Sequence, residues 1–360
     1  MIYTLRITNF RCHHQAELHG LSRINLLLGK NNSGKTAVLE ALLLLSLPGN
    51  PRDVMVRLNE LRGYGPGADQ DEIMESLFHN WDRTQEISLE ATDVAGAFPP
   101  RTKEMPGWRE LRIKATFGSR RENGSGGVLE SANMIGATQG LAFQYRSPVT
   151  SVGRTVTDLT QRASRQTLTD LEDASAVVYI PARSVPDAQT VAQRFSRLEI
   201  ARQHEPVVEA LRVIEPRLRR LTVVATRGGS VLYGDLGAQH LMPVPLMGDG
   251  MIRVLSIALA LAGSQNGMVL LDEVENGLHH SALPGVWRMI AQTARRLNVQ
   301  VFAATHSDEC IRAAHRAVVS LNTREDLRLC RFDLTEQGTR VVDYTADELA
   351  TAIESEQEVR

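Results

Sequence analysis

Eight consecutive residues constrain the fold of this chain more strongly than any other part of its sequence. Residues 29–36 are Gly-Lys-Asn-Asn-Ser-Gly-Lys-Thr and match the pattern GxxxxGKS/T at every fixed position. A nearly continuous apolar run over 24–28 precedes this motif, and a segment rich in helix formers follows it over 36–47. A buried strand, a glycine-rich turn and a helix, in this order, form the phosphate-binding loop of an α/β protein. The sequence therefore predicts an α/β fold built around this loop.

The residue types of the loop suit the phosphates of a nucleotide. Glycines at Gly29 and Gly34 let the backbone approach the phosphates closely, and the next helix directs its positive N-terminus at them. Lys35 is predicted to neutralise the β- and γ-phosphates of ATP, and Thr36 to bind Mg²⁺. The predicted nucleotide contacts of the loop are Gly29, Asn31, Asn32, Ser33, Gly34, Lys35 and Thr36. The alternative is a chance glycine turn ahead of a helix, which the flanking strand and helix disfavour.

A second apolar strand ends in two carboxylates. Residues 268–271 are Met-Val-Leu-Leu, and Asp272 and Glu273 follow them directly. A buried strand confines its charges to the carboxyl-terminal tip, which is where ligands bind in an open α/β sheet. We predict that Asp272 helps to hold Mg²⁺ and that Glu273 is the base that orients or activates the attacking water. Without the phosphate-binding loop, the same pattern would be equally compatible with a solvated acidic turn.

A third apolar strand over 301–304 is followed by Thr305, His306 and Ser307. A single histidine after a strand is often a structural residue held by hydrogen bonds. If this strand lies beside the other two in one parallel sheet, His306 emerges next to the γ-phosphate. We predict a catalytic role for His306 on that basis.

The stretch from 52 to 153 has a different pattern. The segments 86–91, 111–117 and 141–145 alternate between apolar and polar residues, and turn-rich stretches separate them, which is typical of antiparallel strands. Residues 154–173 are polar and predict a helix, and 187–221 predict two more helices, which form at most a short helical arm.

The remaining elements follow from local pattern. A hairpin is predicted over 223–233, an apolar helix over 250–262, strands over 318–322 and 327–333, and an acidic helix from residue 346 onward. We divide the chain into an N-terminal lobe with the phosphate-binding loop (1–50), an antiparallel β insert (51–153), a helical subdomain (154–225), a C-terminal lobe (226–335) and an acidic C-terminal tail (336–360).

Composition restricts the classes of function. A net charge of −2 provides no global basic field for nucleic acid, although a local basic groove is compatible with it. The three cysteines form no CxxC pair, and adjacent histidines such as His13 and His14 rarely share a metal, so we expect neither disulfides nor a zinc site. The longest apolar runs, such as 257–262, are too short to cross a bilayer, and the N-terminus lacks the pattern of a signal peptide. We therefore expect a cytoplasmic protein without membrane association.

Four motifs together resemble those of the ATP-binding-cassette-type (ABC-type) P-loop ATPases. They are Asn9-Phe10-Arg11, GKNNSGKT, LLDEVENGLHH over 270–280 and ATHS over 304–307. The set is most similar to the RecF-like and overcoming-lysogenisation-defect (OLD) branch, which is related to structural-maintenance-of-chromosomes (SMC) heads. The resemblance extends over residues 1–335, with the middle matched only loosely. It implies an ABC-type head with a largely parallel core sheet, an antiparallel β subdomain and a short helical arm.

The resemblance also implies a homodimer in which two heads enclose ATP and a signature loop of one head completes the site of the other. The matching loop here is Met-Gly-Asp-Gly-Met over 247–251, so Gly248, Asp249 and Gly250 are expected to contact nucleotide. Gly248 stands where the family usually has a serine, which leaves backbone N–H groups and a helix N-terminus to bind the γ-phosphate. The alternative is an ordinary loop with a helix N-cap at Asp249. Asn276 lies in the position of the D-loop, where it is expected to contact the partner head.

Relatives of this type carry either a long coiled coil or a TOPRIM nuclease domain, and neither is expected here. No DxD cluster follows His306, and no long heptad run occurs. The chain therefore resembles the ATPase half of a system whose effector, a TOPRIM-type nuclease or a toxin, is a separate protein in antiphage defence or DNA maintenance. The alternative is a RecF-like DNA-binding repair or replication ATPase, for which Arg194 with Arg197 and Arg217 with Arg220, each one helical turn apart, give weak support.

Overall fold

The computed structural model describes residues 1–46, 54, 58–59, 62, 70–93, 107–117, 138–147, 153–158, 176–183, 187–335 and 338–354. The strands are β1 (Thr4–Phe10), β2 (His13–Leu18), β3 (Ile24–Gly29), β4 (Ile87–Thr92), β5 (Trp108–Phe117), β6 (Thr138–Arg146), β7 (Gly153–Asp158), β8 (Val177–Ile180), β9 (Arg220–Thr226), β10 (Gly229–Asp235), β11 (Met242–Pro243), β12 (Met268–Leu271), β13 (Gln300–Thr305), β14 (Leu327–Thr335) and β15 (Gly338–Thr345). The α-helices are α1 (Lys35–Ser46), α2 (Gln70–Glu75), α3 (Ala188–Ile200), α4 (Glu205–Leu211), α5 (Asp249–Gly263), α6 (Leu283–Arg296), α7 (Asp308–Ser320) and α8 (Ala346–Glu354).

A largely parallel sheet forms the centre of the molecule, as predicted. Its strand order is β15-β14-β3-β13-β12-β8, and every neighbouring pair is parallel except β14 and β15. Strands β3, β13 and β12 are adjacent and run in the same direction, so their carboxyl ends meet at one edge of the sheet. The phosphate-binding loop, His306 and Asp272 follow these three ends, which places all three motifs along that edge.

Strand β3 is buried on both faces and separates two apolar cores. Leu26 and Leu28 face a core formed with helices α3 to α8, whereas Leu27 faces a second core that contains α1. Helix α1 packs between the parallel sheet and an antiparallel sheet, and its residues 37–45 are all buried. A continuous apolar strand is what burial on both faces requires.

The antiparallel sheet has the order β2-β1-β4-β5-β6-β7. The strands predicted over 86–91, 111–117 and 141–145 are confirmed as β4, β5 and β6. They do not form a sheet of their own, because β4 pairs with β1 in a register that places Leu5 opposite Ala91. The N-terminal strands therefore bring this sheet against α1, next to the phosphate-binding loop.

Parts of the predicted secondary structure were wrong. The first five residues of the stretch predicted to be helical over 154–173 belong to strand β7, and 159–173 lie outside the described residues. The three β-branched residues at 155–157 favour a strand, and the edge of β6 provides a pairing partner. Residues 318–320, predicted as the start of a strand, are the last turn of α7. Val318 belongs to the buried face of this helix, because it follows the buried residues Cys310, Ile311, Ala314 and Ala317 at helical spacing.

Other predictions hold. The hairpin over 223–233 is β9 and β10, the apolar helix over 250–262 is α5, and the acidic helix from 346 is α8. Two helices occur within 187–221 as predicted, α3 and α4, with Pro206 in the first turn of α4. The helical prediction was wrong after Leu211, where α4 ends, and Arg220 and Leu221 begin strand β9. Within the described ranges, no helix combines the length and apolar character that a membrane span requires.

Candidate functional site

The loop over 29–36 has a backbone that only glycine accommodates at two points. Gly29 and Gly34 have positive φ angles of 152° and 96°, and Asn32 has one of 65°. A Cβ on Gly34 would collide with the imidazole ring of His13, and one on Gly29 would lie 2.7 Å from the carbonyl oxygen of Phe332. Both glycines are therefore required by conformation and by space, independently of any ligand.

The buried ring of His13 contacts the loop directly. Its Nε2 lies 3.1 Å from the carbonyl oxygen of Gly34, and its Nδ1 lies 3.1 Å from Oγ1 of Thr339. Burial lowers the pKa of His13 below its ordinary value, which favours the neutral ring. A carbonyl can only accept a hydrogen bond, so Nε2 carries the proton and Nδ1 accepts from the Thr339 hydroxyl. No pattern in the sequence indicates this contact, because His13 and Thr339 are 326 positions apart.

A hydrogen bond joins the loop to strand β12. The Thr36 hydroxyl donates to Oδ2 of Asp272 at 2.9 Å. Burial raises the pKa of Asp272, while the hydrogen bond from Thr36 opposes that rise. A hydroxyl beside a carboxylate is an oxygen ligand set that suits Mg²⁺, which keeps several waters and phosphate oxygens as its other ligands. In the described ranges no group of three or more His, Cys, Asp or Glu side chains forms a separate metal cage.

The ammonium group of Lys35 lies against the same loop. Its Nζ donates to the carbonyl oxygens of Gly29 at 2.6 Å and of Lys30 at 2.9 Å. Burial lowers the pKa of Lys35, and the nearby carboxylates of Asp272, Glu273 and Glu275 oppose this shift. The positive charge is thus held at the loop by hydrogen bonds and by three acidic residues.

Glu273 has a constrained backbone and a fixed carboxylate. Its φ angle of 45° is unusual for a residue other than glycine, and such strain persists only where the surroundings enforce it. The side chain of Asn276 donates to Oε2 of Glu273 at 2.6 Å and to the carbonyl oxygen of Ala182 at 3.1 Å. Asn276 therefore orients Glu273 within one chain. Its expected contact with a partner head stays a prediction.

Arg253 of helix α5 stabilises the turn that carries Asp272 and Glu273. Its guanidinium donates to the carbonyl oxygens of Asp272 at 2.6 Å, Glu273 at 2.9 Å and Pro181 at 3.0 Å. The residue is buried, and burial lowers its pKa while Asp272 and other acidic groups oppose that shift. We did not predict Arg253 as part of the site, although the sequence contained a signal. It is the only charged residue over 250–263, an otherwise apolar stretch.

His306 lies at the end of β13 and contacts Glu275. One carboxylate oxygen of Glu275 accepts from the Thr305 hydroxyl at 2.8 Å and from the backbone N–H of His306 at 3.1 Å, and the His306 ring lies 3.3 Å from it. The ring is about half exposed, with 52% of its side-chain surface accessible. Glu275 thus sets the position of the turn that carries His306, a role that the sequence did not reveal.

The loop that begins helix α5 packs against the turn at Gly277 rather than against the phosphate-binding loop. Gly248 is the N-cap residue with a φ angle of 98°, and Asp249 is the first residue of the helix, so the N-cap predicted at Asp249 for an ordinary loop lies one residue earlier. A Cβ on Gly250 would lie 3.0 Å from the carbonyl oxygen of Gly277, because the two loops are in close contact. The segments 248–250 and 276–277 therefore form one continuous surface.

A cavity of about 660 Å³ lies over the phosphate-binding loop. This volume is within the range of about 300–1,000 Å³ that is usual for ligand pockets. Its walls are Arg11, Cys12, residues 31–37, Arg62, Ser76, Phe78, Asn80, Trp81, Asp272 and Glu273. It brings together the predicted loop residues from Asn31 to Thr36 with both carboxylates of β12. Neither His306 nor residues 248–250 line it.

Known proteins resemble this chain over nearly its whole length. A Helicobacter pylori protein described as an ATP/GTP phosphatase is 21% identical over 385 residues, which cover 99% of each chain. An SMC head bound to the C-winged helix domain of ScpA has a TM-score of 0.51 at 11% identity, over 97% of this chain and 99% of that one. A Pyrococcus furiosus Smc head with an extended coiled coil, bound to the C-terminal domain of ScpA, has a TM-score of 0.51 at 10% identity, over 99% of each chain. The predicted fold class, an α/β P-loop NTPase head, is confirmed.

Two family models match the sequence. A family described as "AAA ATPase domain" matches residues 1–94. A family described as "AAA domain, putative AbiEii toxin, Type IV TA system" matches residues 133–312, half of the chain. The first match contains the phosphate-binding loop, and the second contains Asp272, Glu273 and His306. The chain therefore belongs to the second of these families, the AAA-domain family whose model matches half of it.

Proposed function

We propose that the chain binds Mg-ATP in the cavity over residues 29–36 and hydrolyses it to ADP and phosphate. The observation that carries this proposal is the bond between Thr36 and Asp272, because it unites the phosphate-binding loop with the strand that bears Glu273. The description of the Helicobacter pylori relative as an ATP/GTP phosphatase also supports hydrolysis.

Each residue of the site has a separate role in binding and hydrolysis of Mg-ATP. The backbone N–H groups of the loop and the Lys35 ammonium bind the β- and γ-phosphates, and Thr36 and Asp272 would hold Mg²⁺. The metal ion, when bound, supplies positive charge that stabilises the phosphate oxygens. Glu273 accepts a proton from the attacking water, and Asn276 keeps the carboxylate in place. Loss of the bond between the γ-phosphorus and its bridging oxygen then yields ADP and phosphate.

We further propose that two copies associate head to tail around the nucleotide. Residues 248–250 do not line the cavity of their own chain, which suits a loop that completes the cavity of a second copy. The contact between Gly250 and the carbonyl oxygen of Gly277 would present this loop and the turn at Asn276 to the partner together. His306 would act at the same junction, because its ring is half exposed beside Glu275.

The biological role that we favour is control of a separate effector of the nuclease or toxin type, as in the OLD branch, in antiphage defence or DNA maintenance. The description of the matching family, which names a toxin and a TA system, supports this role over a RecF-like repair function. Two of the arginines on which the DNA-binding alternative rested are not on a helix. Arg217 is paired with Glu215 at 2.8 Å, and Arg220 lies in β9 and is 3.5 Å from Asp235.

The enzymatic proposal is tested by two substitutions with matched controls. Lys35→Ala should abolish binding of Mg-ATP in calorimetry, whereas Lys114→Ala, on the antiparallel sheet, should bind like the parent. Glu273→Gln should bind Mg-ATP and release no phosphate, whereas Glu209→Gln, at an exposed position of helix α4, should turn over normally. Hydrolysis by Glu273→Gln at the parental rate would overturn the assignment of the base.

The proposed role is tested by capture of partners in the native host. Tagged Glu273→Gln protein with Mg-ATP should sediment as a dimer and retain a stoichiometric protein with a nuclease or toxin sequence. Retention of nucleic acid without such a protein would favour the RecF-like alternative instead.

A further inference from the structure

We propose that Trp81 forms the nucleobase subsite of the cavity and binds the aromatic face of the base, so that adenine and guanine nucleotides both bind. This inference rests on the proposed function, in which the triphosphate occupies the loop over 29–36. It adds the part of the ligand that the sequence motifs leave unassigned.

The cavity extends well beyond the phosphate-binding residues. Besides the loop and the β12 carboxylates, it is lined by Ser76, Phe78, Asn80 and Trp81, which follow helix α2. None of the motifs found in the sequence includes these residues. A triphosphate on the loop therefore leaves a further portion of the same cavity for the ribose and the base.

Trp81 is a suitable platform for a base. Its surface is 51% exposed although it lines a cavity, whereas Trp287 in the core is 1% exposed. Exposure of a large apolar ring to water is unfavourable, and a flat base that stacks on the ring removes part of that cost. Asn80 and Trp81 also have consecutive positive φ angles of 52° and 62°. Such backbone strain in residues other than glycine is concentrated at ligand sites.

The platform is fixed relative to the phosphate-binding loop. Arg11 donates to the carbonyl oxygen of Ser76 at 3.2 Å and to its hydroxyl at 2.8 Å, and its backbone N–H donates to the carbonyl oxygen of Leu77 at 2.7 Å. The same guanidinium donates to Glu40 at 3.1 Å, and Glu40 is a buried residue of α1, which begins at Lys35. Arg11 thus ties the segment before Trp81 to the helix that follows the loop. A rigid arrangement of this kind lowers the entropic cost of ligand binding.

The residues beside Trp81 favour tolerance of different bases. The Ser76 hydroxyl is already engaged, because it donates to the carbonyl oxygen of Ile73 at 2.7 Å and accepts from Arg11. The Asn80 carboxamide has both donors and an acceptor, so it can pair with the edge of adenine or of guanine. Stacking itself does not discriminate between bases, since every base has an aromatic face. We therefore expect no strong preference for ATP over GTP.

The test measures dissociation constants of Mg-ATP, Mg-GTP and inorganic tripolyphosphate by calorimetry. Trp81→Ala should weaken both nucleotides by about 10- to 100-fold and leave tripolyphosphate unchanged, because stacking on one base contributes at about that level. Trp81→Phe should restore part of the loss. Ile200→Ala, which removes an even more exposed apolar side chain at the end of α3, away from the cavity wall, should bind all three ligands like the parent.

Three outcomes would overturn the inference, and one of them would also contradict the proposed function. If Trp81→Ala binds Mg-ATP as the parent does, the base is not on Trp81, while the proposed function stands. If the dissociation constants of the parent for Mg-ATP and Mg-GTP differ by more than about tenfold, the protein recognises the hydrogen-bonding edge of the base rather than its aromatic face. If the parent binds neither nucleotide nor tripolyphosphate, the proposed function itself fails.

Discussion

The hydroxyl of Thr36 donates a hydrogen bond of 2.9 Å to Oδ2 of Asp272, a residue 236 positions further along the chain. This bond connects the first turn of α1 to the end of β12. It brings together the two oxygen ligands that we assign to Mg²⁺, so the metal site and the phosphate site share one wall. A substitution of Asp272 can therefore test the metal site while the residues assigned to the phosphates stay in place.

The first prediction concerns Asp272→Asn, which retains an oxygen that can accept from Thr36 but removes the negative charge. We expect the Mg²⁺ concentration for half-maximal phosphate release to rise by about 10- to 100-fold, because a neutral amide attracts the cation less. ATP binding without Mg²⁺ should be unchanged or slightly tighter. A Mg²⁺ titration of phosphate release checks this, and an unchanged midpoint would show that Asp272 does not serve the metal.

A second prediction concerns the bond from Asn276 to Glu273. Asn276→Ala should lower kcat by about 10- to 100-fold and leave KM nearly unchanged, because the carboxylate loses its orientation but the nucleotide loses no contact. Steady-state phosphate release distinguishes the two parameters. If KM rises while kcat stays constant, Asn276 acts in nucleotide binding rather than in positioning of the base.

The third prediction is a pH dependence of stability caused by His13. Its pKa in the folded protein is lower than the ordinary value near 6.5, chiefly because of burial, so below that value the unfolded chain binds a proton that the folded chain does not. The free energy of unfolding therefore falls as the pH falls from about 6.5 to the folded pKa, by at most about 1.4 kcal/mol per pH unit.

A matched variant isolates this contribution. His13→Gln retains a donor for Gly34 and an acceptor for Thr339 but does not titrate, so urea unfolding of the variant should depend less on pH in that window. Equal pH dependence in the two proteins would contradict the assignment of a neutral, buried His13.

A fourth prediction concerns Arg253, whose guanidinium serves three carbonyl oxygens. Arg253→Ala leaves those buried acceptors without partners, and we expect a loss of about 2–4 kcal/mol in the free energy of unfolding. Arg253→Lys has one nitrogen instead of a fork and should recover only part of it. Arg296→Ala, at an exposed position of α6, should change stability by less than about 0.5 kcal/mol in the same urea titration.

The local sequence was sufficient to predict those parts of the fold and the site that a single segment determines by itself. Residues 24–36 have a buried strand, two required glycines and a helix start in a row, so the loop could be predicted without any distant partner. The acidic pair after β12 could be predicted because burial excludes charge from the strand itself. Local reasoning failed at 154–158, where the strand forms on the edge of β6, and at 318–320, where a short apolar segment was consistent with either structure.

Contacts between distant segments lay beyond the reach of sequence patterns. Nothing near His13 indicates that its ring contacts Gly34 and Thr339, and nothing near Glu275 indicates that it accepts from Thr305. Trp81 belongs to no motif and becomes notable only because the tertiary fold places it in the cavity wall. Arg253 is the exception, since a single charge within an apolar helix could have been recognised as a buried structural contact.

The alternation of Leu26, Leu27 and Leu28 between two cores makes the length of β3 more critical than its composition. Deletion or insertion of one residue within Ile24–Gly29 would exchange the side chains that face the two cores and move the start of the loop by about 3.3 Å. Exchange of one aliphatic residue for another would disturb only local packing. Natural variants and libraries of this protein should therefore contain many aliphatic substitutions at 24 and 26–28 and no changes of length there.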